Sequence, residues 1–131
     1  MVEDKVSNFI NGIKNAQMQG IESVKFSHTK FLASIADILK RQGFLIDVDA
    51  SGKGVAKKIT VTLGNNESGA PMINGVKRVS KQSKRVYKSS KDIFPVKNGY
   101  GTLIISTPSG IMTDKQARKS NTGGEALFEI W

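Results

Sequence analysis

The stretch STPSGIMTDKQARKSNTGGEALFEIW, residues 106–131, indicates how the C-terminal part of the chain folds. It joins the polar end of a strand to a turn rich in hydroxyl side chains, a short basic helix and a closing strand that begins Gly-Gly-Glu. Thr113 and Gln116 have the spacing of a capping box, in which two residues satisfy each other's backbone N–H groups at a helix start. Asp114 and Arg118 are spaced for an ion pair one helical turn apart. The stretch therefore predicts that N–H groups, hydroxyls and positive charge meet along one edge.

The apolar pattern of the whole chain predicts an α+β fold with two small subdomains. The N-terminal one is expected to be mixed α/β, with two helices and three strands. Its first helix ends at Gly20, and its second is capped by Ser27 or Thr29 and ends at Gly43. The predicted apolar stripe consists of Val2, Val6, Phe9, Ile10, Ile13 and Ala16 in the first helix, and of Phe31, Leu32, Ile35, Ile38 and Leu39 in the second.

Three strands are predicted beside these helices, because apolar residues alternate there with polar ones. A Gly-rich segment at 50–56 predicts a hairpin connection between the second and the third strand. The residues expected to point inward are Val24 and Phe26 in the first strand, Phe44, Ile46 and Val48 in the second, and Ile59, Val61 and Leu63 in the third.

The composition changes at residues 64–71, where Gly, Asn, Ser and Pro are typical of turns and linkers. The boundary is predicted there, with an N-terminal α/β subdomain over 1–66 and a C-terminal β-rich subdomain over 67–131. The second is expected to be mainly antiparallel β with one short helix. Its predicted elements are strands at 72–80, 85–88, 102–107 and 125–131, a loop at 92–101 and a helix at 113–120, so that the 106–110 turn leads from a strand to the helix start.

The charge of the chain restricts its partners. Among 131 residues, 20 Lys and Arg stand against 11 Asp and Glu, which gives a formal net charge of +9 and a pI near 9.9. Nucleic acid is the commonest partner of so positive a small protein, and an anionic membrane surface is the second. No apolar run approaches the roughly 20 residues that cross a bilayer. The N-terminus carries Glu3 and Asp4, which argues against a signal peptide.

Residues 68–91, here called the basic ribbon, hold seven cations and no acidic residue. Lys and Arg side chains neutralise phosphates and release counterions, so they give an affinity that depends on salt. Tyr87 lies among them and can stack on an unpaired base. The alternative is a solvated face with Tyr87 packed at a strand edge. The cations of the basic ribbon are Lys77, Arg78, Lys81, Lys84, Arg85, Lys88 and Lys91.

The hydroxyl turn, residues 106–110, has two interpretations. Short hydroxyl side chains can reach base edges and 2′-OH groups in a shallow RNA groove, but Ser, Thr, Pro and Gly are also ordinary turn residues. In Gly123-Gly124-Glu125, the two glycines either make a tight turn or let another backbone approach, with Glu125 ordering the hydroxyl turn or accepting a base donor. Lys115, Arg118 and Lys119 share a helix face that is open to phosphate contact.

Enzyme chemistry finds little support. His28 is the only histidine, and with no Cys and no paired carboxylates at ligand spacing a metal site is not expected. Ser51-Gly52-Lys53-Gly54 shares some letters with a phosphate loop but lacks its spacing, so a hairpin turn explains it better. We therefore expect no catalytic residues, no cofactor, no metal and no small-molecule substrate.

The C-terminal stretch also resembles a known family. Residues 106–119 followed by Gly123-Gly124-Glu125 are similar to the signature of ribosomal protein eight of the small subunit, in its bacterial and organellar branch. The resemblance continues through 78–80 and 85–88 and through the helix end before Gly43-Phe44, so it covers essentially the whole chain. Relatives commonly have Ser-Thr-Ser in the turn, whereas this chain has Pro108 and Ser109 after Thr107. The contacts at those two positions are therefore left open.

The resemblance implies two small domains and a primary rRNA-binding protein, which grips an irregular helix in the central domain of small-subunit rRNA and helps to organise the platform. Carried over by position, RNA contacts are implied for Ser106, Thr107, Glu125, Tyr87 and Lys88, and for Ser27, Thr29 and Lys30 at the start of the second helix. The charge and hydroxyl patterns described above predict further RNA contacts by Lys84, Arg85, Ser109, Lys115 and Arg118.

Two main functions follow as hypotheses, beside a third with little support, a small basic nucleic-acid enzyme. The first is a structural subunit of the small ribosomal particle, with rRNA and neighbouring ribosomal proteins as partners, monomeric outside the ribosome and located in the bacterial cytoplasm or in an organelle. The second is an mRNA-binding translational repressor that uses the same surface. In either case a single kinked RNA stem is expected to contact both the hydroxyl turn and the basic ribbon, which requires the two to lie on one side of the molecule.

Overall fold

The computed structural model describes residues 5–81 and 83–131, so the predicted contribution of Val2 lies outside the described residues. Contacts divide the chain into two compact units, one ending at Asn74 and the other running from Gly75 to Trp131. Each unit has its own antiparallel sheet. The predicted α+β class is confirmed: the first unit combines helices with strands, and the second is mainly β with one short helix. Within the described part of the chain, no helix is both long enough and apolar enough to cross a bilayer.

The N-terminal unit contains two helices and a three-stranded sheet. The sheet order is β1-β3-β2, and both pairings are antiparallel, with Val61 of β3 opposite Val24 and Val48. A single 3₁₀ turn at Gly54–Ala56 closes the predicted β2–β3 hairpin. The elements are α1 Lys5–Gln19, β1 Ser23–Ser27, α2 Lys30–Arg41, β2 Asp47–Ser51 and β3 Lys58–Thr62.

A glycine inside α1 has a packing reason. The rings of Phe9 and Phe26 lie 4.9 Å apart between the helix and β1. A Cβ added at Gly12 would come within 2.8 Å of the Phe26 ring, so only glycine leaves space for that ring. Gly in a helix interior costs about 1 kcal/mol relative to Ala. The contact that the half-buried Phe26 ring makes with the fully buried Phe9 ring contributes toward offsetting this cost.

The second helix begins where its capping chemistry predicts. Of the two possible caps, Thr29 is the one used, since its Oγ1 accepts a hydrogen bond from the Leu32 N–H at 3.0 Å. Gly43 ends the helix region with φ +86°, a conformation that favours glycine. The prediction that Phe31 belongs to the buried stripe is wrong, since this residue is 40% exposed. Ala36, which was not predicted, is buried.

The predicted alternation in the second strand is also wrong. Phe44 and Leu45 are both buried, whereas Ile46 is 49% exposed, and β2 begins only at Asp47. The reason lies in the helix end: the Phe44 N–H donates to the Leu39 carbonyl, which keeps residues 44–45 in the turn that leaves α2. Consecutive side chains of a turn can point to the same side, whereas those of a strand alternate.

The C-terminal unit is a sheet of order β4-β8-β6-β7, in which β5 also pairs with β8. The strands predicted at 72–80 and 85–88 are shorter in the structure, because they share one partner strand. The N–H groups of Val79 and Ser80 both donate to the Leu127 carbonyl, which ends regular pairing there. The elements are β4 Val76–Arg78, β5 Tyr87–Lys88, β6 Thr102–Thr107, β7 Gly110–Thr113, α3 Asp114–Lys119 and β8 Gly124–Ile130, with 3₁₀ turns at Ser90–Asp92 and Lys97–Gly99.

The hydroxyl turn does not lead directly into a helix. It is the tip of a hairpin, since β7 follows it and pairs antiparallel with β6, with Thr107 opposite Gly110. Gly110 has φ +116°, which a side chain would disfavour. Thr113 both ends β7 and caps α3 with the predicted capping box, which is confirmed by the bonds between Thr113 and Gln116.

The two faces of this sheet differ, and register tells which residues belong to each. Directly opposed residues share a face, and the faces alternate along a strand. Leu103, Ile105 and Ala126 lie on the face covered by α3, in a core cluster that includes Ala117. The opposite face carries the fully buried pair Ile104–Phe128 and, beyond it, the pair Ser106–Glu125. A bulge at Leu127 keeps both of these pairs on that face, because the register shifts between Ile104 and Ile105.

Candidate nucleic-acid interface

Three strands bring polar side chains into one row on the face opposite α3. Tyr87 of β5 is paired with Glu125 of β8, and Glu125 is paired with Ser106 of β6. These three residues are called the polar row below. Tyr87 is 71% exposed, while Ser106 and Glu125 are half-buried. The row therefore offers an aromatic ring, a carboxylate and a hydroxyl at adjacent positions of a rigid sheet.

Close backbone approach at the start of β8 makes the row possible. A Cβ at Gly124 would collide with the backbone carbonyl of Ser106, and one at Gly123 would collide with that of Lys88. The two glycines therefore admit the neighbouring strands, which is the second of the two interpretations of Gly123-Gly124-Glu125. Tyr87 and Ser106 lie on the two sides of Glu125 because of this approach.

A small network fixes the Glu125 carboxylate. Ser80 Oγ donates to its Oε2 at 2.5 Å, and Arg85 Nη1 donates to the same atom at 3.2 Å. Ser80 is fully buried and in turn accepts from the Val86 N–H at 3.1 Å. Glu125 thus bonds to the β4–β5 side of the sheet, and the expectation that it orders the hydroxyl turn is not met among the described residues. An ionised carboxylate accepts about four hydrogen bonds, so capacity remains for an external donor.

The hydroxyls of the turn divide into structural and available ones. Thr107 is only 9% exposed, and its Oγ1 donates to the Gly110 carbonyl at 2.7 Å and accepts from the Ser109 N–H at 3.1 Å. Its hydroxyl holds the hairpin tip in shape. Pro108 and Ser109 are exposed at the tip, and Ser106 is half-buried beside Glu125. A contact with a partner by Ser106 or Ser109 stays a prediction, and Thr107 acts on the turn itself.

The cations of α3 are likewise in two states. Arg118 Nη1 lies 2.8 Å from Oδ2 of the buried Asp114, which confirms the predicted ion pair. Asp114 also accepts from the Leu103 N–H at 3.2 Å, so the pair anchors α3 to β6. Lys115 and Lys119 are exposed. Of the three residues predicted to form a cationic face, these two lysines are the ones free of that anchoring role.

The basic ribbon is divided by the fold. Its Tyr87 belongs to the polar row, and its Arg85 contacts Glu125. Its Lys88, in β5, is paired with Gly124 of β8. Its Lys84, however, lines a separate groove together with Lys77, Arg78 and Lys81. Lys77 is paired with Glu129, and Glu129 with Leu103 on the α3 face, so the expectation that one stem meets the whole ribbon and the hydroxyl turn is not supported for Lys77. The RNA contact expected of Lys84 stays a prediction.

The candidates of the N-terminal unit cluster at the junction of β1 and α2. Thr29 Oγ1 is occupied as the helix cap. Ser27 Oγ accepts from Lys58 Nζ at 3.3 Å, and Lys30 is exposed. The group thus contains a hydroxyl with a cation beside it and a second cation one helical residue beyond the cap.

Ser80 was missed by sequence reasoning as a functional residue. Its partner Glu125 is 45 positions away along the chain, so no local spacing connects the two. A fully buried serine within a basic, exposed segment would indicate such a role, but the burial of one residue cannot be predicted from the sequence of the segment alone. Within residues 5–81 and 83–131, no group of His, Cys, Asp or Glu could hold a metal ion.

These features define a small basic α+β protein of the nucleic-acid-binding class. The family described as ribosomal protein S8 matches residues 4–131. The chain is 36% identical to the small ribosomal subunit protein uS8 of Helicobacter pylori strain Shi470, over 131 residues and 100% of both chains. It is 37% identical to the protein of the same name from Nautilia profundicola and 36% identical to that of Helicobacter acinonychis, again over 100% of both chains. The chain belongs to the ribosomal protein S8 family.

Proposed function

We propose that the chain is a structural constituent of the small ribosomal subunit and binds its rRNA without catalysis. The RNA target is an irregular helix in the central domain, and binding helps to assemble the platform. The observation that carries the proposal is the polar row, a pre-ordered set of an aromatic ring, a carboxylate and a hydroxyl beside a fixed hairpin tip. The relatives come from bacteria, which favours a bacterial ribosome, hence a cytoplasmic one, over an organellar one.

The polar row suits an RNA whose bases are displaced from regular stacking. Tyr87 presents an exposed ring on which a base or a sugar can stack, and Ser106 and Ser109 present hydroxyls of a size that fits 2′-OH groups and base edges. Glu125 is held by Ser80 and Arg85, so its remaining acceptor sites point in a fixed direction. Pre-ordered groups lose little conformational entropy on binding, which raises affinity for the one shape that they fit.

Phosphate contacts supply the part of the affinity that does not depend on sequence. The exposed Lys115 and Lys119 of α3 and the half-buried Lys88 of β5 lie in the same unit as the polar row, and Lys30 provides a cation in the other unit. Each phosphate that a cation neutralises contributes roughly 0.9 to the slope of log affinity against log salt. The function therefore combines shape recognition at the polar row with salt-dependent attraction.

The test compares two RNAs of equal length and charge. One is a transcript of the irregular central-domain helix, and the other is the same transcript with its irregular positions replaced by Watson–Crick pairs. At fixed salt the wild-type chain should bind the irregular RNA at least about a hundredfold more tightly than the regular one. This threshold is set below the ratio of specific to non-specific affinity that is usual for specific sites. Equal affinity for the two RNAs would contradict the proposal.

A further inference from the structure

A groove of about 320 Å³ lies beside β4 in the C-terminal unit, and it is lined by four cations of the basic ribbon. The cations are Lys77, Arg78, Lys81 and Lys84, and one carboxylate, Glu129, lies among them. We call it the basic groove. Its floor consists of Val79 and Val86, which are half-buried and pack against the core cluster under α3.

Register places Lys77 of this groove on the other face of the sheet from the polar row, whereas Arg78 is paired with Phe128 on the polar-row face. Lys77 is paired with Glu129, and Glu129 is paired with Leu103, which belongs to the core cluster on the α3 face. Ile105 and Ala126 are also paired on the α3 face. The next pair along the strands, Ser106 and Glu125, therefore points to the opposite face. Because paired residues share a face, the sheet itself separates Lys77 from the polar row.

The cations of the groove are held on a firm frame. Lys81 and Lys84 exchange backbone hydrogen bonds of 2.9 and 3.1 Å, which closes a tight loop between β4 and β5. Arg78 is anchored because its Nη1 donates to the Leu127 carbonyl at 2.9 Å. Four cations against one carboxylate leave an excess of positive charge in one concave place. Such concavities concentrate the field and attract polyanions.

We propose that the basic groove binds the sugar–phosphate backbone of a second RNA segment, distinct from the stem that the polar row recognises. This inference rests on the proposed function. It favours RNA over an acidic protein segment because a sugar–phosphate backbone carries one charge at every nucleotide, which suits four cations that stand against a single carboxylate. The chain would then connect two RNA segments through the two faces of one sheet.

The first experiment removes the charge of the groove in the full-length chain. The variant Lys77→Gln, Lys81→Gln, Lys84→Gln is compared with wild type on two transcripts, the isolated irregular stem and the whole central domain. The variant should bind the stem within about twofold of wild type. On the whole domain it should lose roughly tenfold to a hundredfold in affinity, and its salt slope should fall by about 2 to 3, one for each lost phosphate contact.

A matched control removes the same charge elsewhere. The variant Lys5→Gln, Lys25→Gln, Lys53→Gln also loses three positive charges, all from exposed positions of the N-terminal unit. It should keep the excess affinity of wild type for the whole domain over the stem. If the control loses that excess as the groove variant does, the effect is one of net charge and the proposal is overturned.

The second experiment locates the two RNA segments directly. The chain has no Cys, so Lys81→Cys and Ser109→Cys each create a single attachment point for a tethered Fe(II)–EDTA probe. In reconstituted small subunits, hydroxyl radicals from position 81 should cleave a segment of rRNA different from the stem cleaved from position 109. The same set of cleavages from both positions would overturn the proposal.

Other outcomes separate this inference from the proposed function. Equal losses on the stem and on the whole domain would make the groove part of the primary site, which overturns the inference and leaves the proposed function in place. Unchanged binding to both RNAs combined with poor incorporation into the subunit would point to a protein partner and also overturns it. Absence of any preference of wild type for the irregular stem would contradict the proposed function itself.

Discussion

The two faces of the C-terminal sheet use the same strands in different ways. On one face, the polar row has a single carboxylate, and its atoms are fixed by a hydrogen-bond network with Ser80 and Arg85. On the other face lies Lys77 of the basic groove, in which three exposed lysines have long side chains that reach solvent, while Arg78 is held by the Leu127 carbonyl. Fixed polar groups discriminate between shapes, whereas mobile cations attract phosphates of any sequence. Shape selectivity can therefore belong to the polar row, and attraction of phosphates to the lysines of the basic groove.

The largest effect on stability is expected at Gly124, where the backbones of β8 and β6 lie close together. In Gly124→Ala, the added methyl group would meet the Ser106 backbone, which cannot move without separating β6 from β8. We expect the free energy of unfolding to fall by about 3 kcal/mol or more, at the large end for single substitutions. Selectivity for the irregular stem should be lost as well. Urea unfolding and RNA binding measure the two effects.

A suitable control is Gly54→Ala. Gly54 has a positive φ, of +58°, but no atom lies within 4 Å of its Cβ position. Its cost should be limited to backbone strain, about 1 kcal/mol. Similar losses for the two alanine variants would show that close approach of β6 and β8 does not hold the row together.

Ser80→Ala should have the next largest effect, because it breaks the network under the polar row. The Val86 N–H loses its acceptor and Glu125 loses its shortest hydrogen bond in a fully buried place. An unsatisfied buried group costs roughly 1–3 kcal/mol. We expect a loss of stability of that order and a weaker preference for the irregular stem, with the salt slope unchanged.

The half-buried Ser90 provides the comparison for the fully buried Ser80. Its Oγ hydrogen-bonds to Asn121 at the surface, so Ser90→Ala should stay within about 0.5 kcal/mol of wild type in urea unfolding. If Ser80→Ala were as mild as this, the Glu125 carboxylate would not depend on the network, and the distinction between a fixed and a mobile face would be lost.

Tyr87→Ala tests the polar row without disturbing its frame. The ring is mostly exposed, so stability should change little, whereas a stacked base would lose roughly 1–3 kcal/mol of binding free energy. Tyr87→Phe retains the ring and should bind within a few fold of wild type. Titrations at several salt concentrations should give parallel lines for all three proteins. Full affinity of the alanine variant for the irregular stem would remove stacking from the account of the polar row.

Local spacing in the sequence was sufficient for part of this fold. The strand Thr102–Thr107, the capping box of Thr113 and Gln116, and the Asp114–Arg118 pair were all predicted and are confirmed, because each depends on residues within a few positions of one another. The strand β7 was missed, because it is four residues long, begins with glycine and ends in the helix cap itself.

The composition of the site could not be predicted in the same way. The contact of Ser80 with Glu125 and the placement of Tyr87 opposite Glu125 depend on pairing between distant strands. The basic ribbon is continuous in sequence, yet a tight loop at Lys81–Lys84 and the alternation of side chains along β4 and β5 distribute its cations over two faces. Counting charges along the chain gives their number, whereas only register gives their direction.

The smallest effect is expected for Lys81→Gln, which changes one exposed side chain of the basic groove. Stability should stay within about 0.5 kcal/mol of wild type, since Lys81 is exposed and its hydrogen bonds with Lys84 are made by the backbone. Affinity for the irregular stem should be unchanged, while the salt slope on the whole central domain should fall by about 1, the value for one phosphate contact. Lys81→Arg keeps the charge and should restore the slope. A fall in selectivity for the stem would place Lys81 with the polar row, and the two faces would then no longer have separate roles.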